Sequence, residues 1–454
     1  MPPLVYNIPI YLTCKGICVN AEYVKIINVE VVKMAGYNYQ DYIKLLKSEL
    51  VSAMGCTEPI AIAYLASYAK DILGKMPTKV LIEVSGNVLK NVKSVIVPNT
   101  SKMKGIQVAC AAGIVCGDAS KKLEVIANAS KDDHHEIQEF LKEVEVKVVA
   151  SDSSRIFDLV IKLWADNDNV KVRICDYHTN IVYVERNGEV LFEKELEEIK
   201  QSHEIDLSCE DIFAFAHDVN IADVKELLDR QIDYNMAIAN EGLSGDYGAN
   251  IGSTLLASYG DSLNIKVKAY AAAASDARMN GCEMPVVIVS GSGNQGITAS
   301  VPVIVWAKEK GYSQEELYRA LTLSDLITIH LKQGIGRLSA FCGAVSAGVG
   351  AGAGIAYLET HSFEAVAHTI VNALGIISGT ICDGAKASCA AKIQAAIDAG
   401  LTGYFMYKNG QEFKDGEGLV AKGVENTINN IARLASKGMK ETDKEIIKMM
   451  VGNC

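Results

Sequence analysis

Four cysteines carry the residue type most able to do chemistry in this chain. Cys342 lies in LSAFCGAVSAG, and Cys382 and Cys389 lie in GTICDGAKASC, so each sits among glycines and small residues that suggest a tight pocket. These three are separated by 40 and 7 positions. Seven residues of straight helix rise roughly 10.5 Å, farther than one compact cluster bridges. Asp383-Gly384 must therefore break the helix if Cys382 and Cys389 act on one centre. The plain alternative is that all three are small core hydrophobes, because cysteine is among the most buried residue types. The chain has no CxxC pair, which argues against a zinc ribbon or a thioredoxin-type site.

The fourth cysteine, Cys56, precedes Thr57-Glu58-Pro59. Thr57 is suited to cap a helix and Pro59 to start one, which puts the thiol near the positive end of the helix dipole. That position lowers a thiol pKa and raises its thiolate fraction near neutral pH, as a proton-abstracting group requires. The alternative is packing at a helix junction. Gly291 to Gly296 read GSGNQG after the apolar run VVIVS and match GxGxxG. A dinucleotide fingerprint needs the first βαβ unit of a parallel sheet and an acidic residue roughly 20 positions on, and the surroundings here look helical. A structural glycine turn is the other reading.

Lys332 and Arg337 precede Cys342 and are suited to pair with a carboxylate, although cations near Gly-rich loops are more often solvated. His330, His361 and His368 are tempting bases, but each looks like a lone packing histidine without a second ligand-like residue. Cys14, Cys18, Cys110, Cys116, Cys175, Cys209, Cys282 and Cys454 receive no role.

The elements that must position these groups divide the chain in two. Tyr42, Ile43, Leu46 and Leu50 recur at helical spacing across Tyr39 to Ala53, and a second helix runs from Glu58 to about Leu73. TKVLIEVS (78–85) reads as a strand, the segment 86–105 as a loop-rich connection, and Ile106 to Cys116 as a small-residue helix. Residues 122–150 read as a strand, a polar helix and a second strand, and VKVRICDYHTNIVYVERNGEVLFE as alternating strands with Asn187-Gly188 as a turn. Past about residue 210 helical periods take over. The predicted organisation is an amino-terminal appendage over 1–33, an α+β domain over 34–215 and a mainly α-helical domain over 216–454. The boundary, near 205–222, rests on the change of pattern. Composition differs before Met34, which makes Met34 a candidate translation start.

The 454 residues are 49% hydrophobic and 22% charged, a globular rather than disordered balance with room for a buried site. A net charge of −11 and the lack of a Lys/Arg stripe with interleaved aromatics exclude nucleic acid. Twelve cysteines in so long a chain are no secreted disulfide framework, and no signal peptide is evident. A cytoplasmic protein is expected. Ala340 to Leu358 carries no charge over nearly a membrane-spanning length, but its residues are mostly Gly and Ala, so a buried packing segment is expected.

GCTEP (55–59), VPNTSKMKGI (97–106), SGSGNQGI (290–297), GRLSAFCGAVSAG (336–348) and ICDGAKASC (381–389) together resemble the L-cysteine desulfidase family from about residue 40 to the end. More distantly, over the helical half, they resemble the α domain of iron-sulfur L-serine dehydratases. The resemblance implies a 4Fe-4S cluster on Cys342, Cys382 and Cys389, with one iron left open by three ligands for four irons. It also implies that Cys56 is catalytic, as base or as transient iron ligand. Substrate contacts would come from Ser292, Gly293, Asn294 and Gln295, which would cradle the substrate carboxylate, and from Asn87, Thr100 and Lys102, with Asn99 beside them. In related dehydratases a carboxy-terminal cysteine occupies the open iron, and this chain ends in Gly-Asn-Cys454.

The reading is therefore an iron-sulfur lyase converting L-cysteine to pyruvate, ammonia and sulfide without pyridoxal phosphate, with a small amino acid as ligand and a homodimer as the assembly considered. Three rivals stand beside it. An L-serine dehydratase would use the same residues; a non-catalytic iron-sulfur redox or sensing protein would have a fourth protein ligand; a nicotinamide dehydrogenase would bind NAD at the Gly291 loop.

Overall fold

The computed structural model describes residues 37–151, 153, 155–196, 205–336 and 339–451. The appendage over 1–33, the Met34 start, Cys14, Cys18, Arg337 and Cys454 lie outside the described residues. An α+β region comes first and a mainly helical region follows, as the sequence predicts.

The first helix, α1 (Tyr39–Glu49), stops sooner than its apolar spacing suggests. Tyr42, Ile43, Leu46 and Leu50 are all buried, but the chain turns extended after Leu50 to form β1 (Ser52–Met54). Then α2 (Thr57–Leu73) runs to a left-handed Gly74. β2 (Lys79–Val84) follows, with Val80, Ile82 and Val84 inward. The expected loop over 86–105 contains a short helix, α3 (Gly86–Val92). Its Gly-Asn opening hides a start that Ser85 introduces from an extended conformation.

α4 (Ile106–Cys116) lies where the small-residue run predicts. The strand expected near 122 is instead a 3-10 turn over Ala119–Glu124 and further turns. Val125 and Ile126 are apolar because they are buried, while their backbone turns locally, Val125 N–H donating to Lys122 O at 3.1 Å. α5 (Lys131–Glu143) begins with a capping box between Ser130 and Asp133.

β3 (Val146–Ala150), β4 (Asp158–Ala165), β5 (Asp168–Cys175), β6 (Ile181–Arg186) and β7 (Glu189–Glu193) complete a six-stranded sheet of order β3-β2-β4-β5-β6-β7. Only β2 and β3 are parallel among its pairs. The β6–β7 turn is at Asn187 and Gly188, with φ of 52° and 82°, the left-handed pair that a two-residue hairpin requires. One face of this sheet packs under α2, α4 and α5 around Ile82, Ile161 and Val172. The other carries cross-strand ion pairs, Lys162 with Glu83 at 2.9 Å and Arg173 with Asp158 at 2.7 Å.

The second region holds α6 (Cys209–Asp218), α7 (Ile221–Ser244), α8 (Ile251–Tyr259), α9 (Leu263–Met279), β8 (Pro285–Val287), α10 (Gly293–Lys310), α11 (Gln314–Ile335), α12 (Gly343–Thr360), α13 (Phe363–Ile376), α14 (Cys389–Lys408), α15 (Val424–Arg433) and α16 (Lys440–Val451). α12 is the segment that read as uncharged and Gly/Ala-rich. It is buried from Ala344 to Leu358, and no described helix is long and apolar enough to cross a membrane. Its glycines admit neighbouring backbone: a methyl on Gly352 would lie 2.7 Å from Gly400 Cα on α14.

Several contacts tie the regions together, among them the packing of α1 residues Tyr42 and Leu46 into the core of the helical region. β1 pairs antiparallel with β8, Ser52 opposite Val287 and Met54 opposite Pro285. At the carboxy-terminal end α16 returns to α3, where buried Lys90 meets Asp443 at 2.6 Å.

Candidate functional site

Helix starts build the site. Cys56 is the N-cap of α2, Ser292 of α10 and Cys342 of α12, and Cys389 is the first residue of α14. Three of the four cysteines thus stand at helix starts, where unpaired amides gather. Cys342 and Cys382 are brought together by a bridge between Phe341 and Ile381, with Cys342 N–H donating to Thr380 O at 2.8 Å and Cys382 N–H to Ala340 O at 2.7 Å. Their sulfurs share a hydrogen bond. That bond first, and then the charges of Lys90 and Lys332, hold the Cys382 thiol well below its usual range against its burial. The bond and burial push Cys342 well up.

The break expected between Cys382 and Cys389 is present. Gly384 has φ of 95°, and a methyl there would lie 2.2 Å from Lys90 O, so only glycine fits. Asp383 clamps the turn through Lys386 at 2.5 Å and through Lys392, and Lys392 Nζ also donates to Ile381 O at 2.8 Å. Cys389 senses the charge of Cys382 and packs with Ala385 against Cys56, Val95 and Met279. All four cysteines therefore face one place. Three sulfur donors converging beside Lys90 and Lys332 suit a polynuclear iron-sulfur group, which is anionic when thiolate-bound.

Two expectations for Cys56 are corrected. The cap is Cys56 itself, without a side-chain cap bond, and Thr57 is the first helical residue. The Thr57 hydroxyl instead donates to Glu58 Oε2 at 3.0 Å and approaches Gly291 O at 3.1 Å. Nor is the thiol acidified: burial first, then the Glu58 carboxylate, push Cys56 well above its ordinary value, with Arg278 and the Glu58 backbone amide pulling the other way. The dipole loses because the thiol is 3% exposed and donates to Glu58 Oε2 at 3.1 Å. Against its own burial, Glu58 is held below its usual value by His178 and by the Cys56 and Thr57 donors. Asn91 on α3 donates to its other oxygen at 2.9 Å.

The Gly291–Gly296 loop follows β8 of a two-stranded ladder, not a parallel βαβ sheet, which removes the dinucleotide context. Buried Gln295 lies against Gly343, where a methyl would be 2.6 Å from its Cδ, next to Cys342. Asn294 Oδ1 accepts from Arg278 Nη1 at 3.0 Å and from Ser275 at 3.3 Å. Ser292 and Gly293 open α10 beside them. Asn87 is on α3, its Oδ1 buried without a partner among the described residues. Pro98 packs on Gly55, beside Cys56, a methyl on Gly55 being 2.1 Å from its Cγ, so the 97–103 loop does border the site. Its polar groups turn inward: Thr100 donates to Val97 O at 2.7 Å and Asn99 to Ile126 O at 2.8 Å. Lys102 is exposed.

Lys332 is buried rather than solvated. His330 is not a lone histidine: its Nε2 lies 2.8 Å from Glu425, which also accepts from the Cys209 N–H at 2.7 Å. The ligand atoms of Cys209, His330 and Glu425 lie within 4.8 Å of one another, a set able to hold a metal ion. His368 likewise meets Glu412 at 2.8 Å. Sequence reasoning passed over Glu58, Lys90, Asn91 and Arg278. For Glu58 and Arg278 the available signal was a charge inside an apolar run, in GCTEPIAIAYLA (55–66) and AAAASDARM (271–279).

Residues 120–448 match the family described as serine dehydratase alpha chain. A UPF0597 protein of Desulfitobacterium hafniense is 57% identical over 419 residues, 92% of this chain and 97% of the relative. Those of Finegoldia magna and Lachnoclostridium phytofermentans are 47% and 45% identical, each over 91% of this chain and over 99% and 100% of their own lengths. The relatives' names state no activity. On the extent of these matches, the chain belongs to the serine dehydratase alpha-chain family and to the UPF0597 proteins.

Proposed function

We propose that the protein is an iron-sulfur lyase that eliminates the β-substituent of a small L-amino acid, with L-cysteine, converted with water to pyruvate, ammonia and hydrogen sulfide, as the favoured substrate. The observation that carries this reading is the convergence of Cys342, Cys382 and Cys389 on the Cys56–Glu58 pair at the seam of the two regions. The serine dehydratase family supports a lyase. Cys342, Cys382 and Cys389 would hold a 4Fe-4S cluster, which would supply Lewis acidity toward the leaving sulfur or oxygen.

The chain's own residues do the rest. Cys56, once deprotonated, is the base for the α-proton, and Glu58, which accepts the thiol hydrogen bond at 3.1 Å, positions the sulfur. Ser292, Gly293, Asn294 and Gln295 border the carboxylate end. Burial of the pair excludes water until the enamine product leaves and hydrolyses. A reducing cytoplasm is the setting proposed for such a centre.

Anaerobic reconstitution with iron and sulfide, then assay of sulfide and pyruvate from L-cysteine and L-serine side by side, tests the proposal. Equal sulfide and pyruvate from cysteine, with little pyruvate from serine, is expected. Pyruvate mainly from serine would make it a dehydratase, and a full cluster with neither product would leave a redox or sensing protein.

A further inference from the structure

Arg278 ends α9 with its guanidinium in the interior, 3% exposed. A buried cation is costly unless paired and fully hydrogen-bonded. This one is neither. Nη1 donates to the neutral Asn294 Oδ1 at 3.0 Å, its approach to Met279 Sδ is 4.0 Å, and Nε has no partner among the described residues. No carboxylate among the described residues comes within ion-pair distance of it. Burial accordingly lowers its pKa, while Cys56, Glu58 and Cys389 pull the other way. Those three neighbours place the guanidinium between the proposed base and a proposed cluster ligand.

Its other neighbour is the start of α10. A methyl on Gly293 would lie 2.2 Å from Arg278 Nε and 2.6 Å from Cζ, so glycine is what lets the guanidinium lie against the helix start. A fixed donor fork beside the amides of a helix start is a receptor for a planar anion. Ser275 and Arg278 converge on Asn294 Oδ1, which fixes the fork.

We infer that Arg278 is the substrate-binding residue for the α-carboxylate of the amino acid, with Nε the donor awaiting it. Naming an α-amino acid rests on the lyase reading. A carboxylate on Arg278 places the adjoining α-carbon next to Cys56 and the β-substituent toward the cysteine trio, and supplies the counter-charge that the protein leaves out.

The probe is a pair of non-reacting thiols, 3-mercaptopropionate and its amide, titrated anaerobically into the reconstituted protein. The wild type is expected to bind the acid about 100-fold more tightly than the amide, because a site built for a charged partner rejects the analogue lacking it. Arg278→Gln is expected to bring the two to within a few-fold and to raise KM for L-cysteine far more than it lowers kcat, at unchanged iron content. Arg278→Lys should recover part of the preference. Equal binding of acid and amide by the wild type would overturn the inference, as would an Arg278→Gln protein that loses both ligands equally, which is the mark of a merely positioning role. If the wild type turns over neither amino acid the lyase reading falls, while the acid-to-amide ratio still judges Arg278.

Discussion

Glu58 accepts three side-chain hydrogen bonds, from Cys56, Thr57 and Asn91, so its charge is the acceptor on which Cys56 depends. Glu58→Gln is expected to lower kcat about 100-fold, the scale of a lost acid–base partner, while iron content stays unchanged; a loss of iron together with activity would assign Glu58 to folding instead. A second buried acid gives a pH test. Burial pushes Asp325 up to about 7, with Gln231 pulling it down, and one of its oxygens has no partner among the described residues. The folded chain therefore keeps a proton that the unfolded chain releases near 4, so this group's stabilisation is intact below that pH and is lost as pH rises to about 7. Asp325→Asn keeps the Gln231 bond without the charge. Its melting temperature should exceed the wild type's at pH 8 and match it near pH 4, as calorimetry would read. The cysteines were legible in sequence because their chemistry marks them one by one. Lys90 and Arg278 were not, because what makes each matter is a partner on another element, Asp443 and Asn294, and Glu58 was not, because its burial comes from tertiary packing.

Helices that read as simple runs of small residues were legible as elements, and α4 and α12 lie where composition places them. What composition hides is why the residues are small. Gly348 and Gly352 of α12 meet Ala396 and Gly400 of α14 backbone to backbone, so Gly352→Ala forces the crossing apart and should cost about 1–3 kcal/mol, seen as a lower melting temperature with an unchanged helical signal. Gly384→Ala acts differently. Its strain lies in the turn between two cysteines and against Lys90 O, so iron retention should fall more than stability does. The short helix α3 and the turns after Ala119 escaped sequence reading for one reason: local polarity and periodicity compete with tertiary contacts there, and the contacts win.

At the scale of the molecule, the site belongs to neither region alone. Lys90, Asn91, Cys56 and Glu58 come from the first and Cys342, Cys382 and Cys389 from the second. Asp443, on the last helix, holds Lys90 in place. Asp443→Asn leaves that buried cation without its partner, so a loss of about 3–5 kcal/mol together with weakened iron retention is expected, measured by denaturant titration and iron analysis. The change from α+β to helical character was legible because periodicity changes with it. The seam was not, since it is made by pairings such as Ser52 with Val287 that no local pattern records.

That three-residue ladder between β1 and β8 has a consequence for how ligands come and go. β1 leads through Gly55 directly into Cys56, and β8 leads into the Ser292 loop, with Ile288 N–H also donating to Val51 O at 2.9 Å. Swinging the regions apart would unzip this seam and pull Cys56 away from the loop. Exchange of a small molecule through motions of side chains and loop tips, on nanosecond-to-microsecond timescales, would leave the ladder intact.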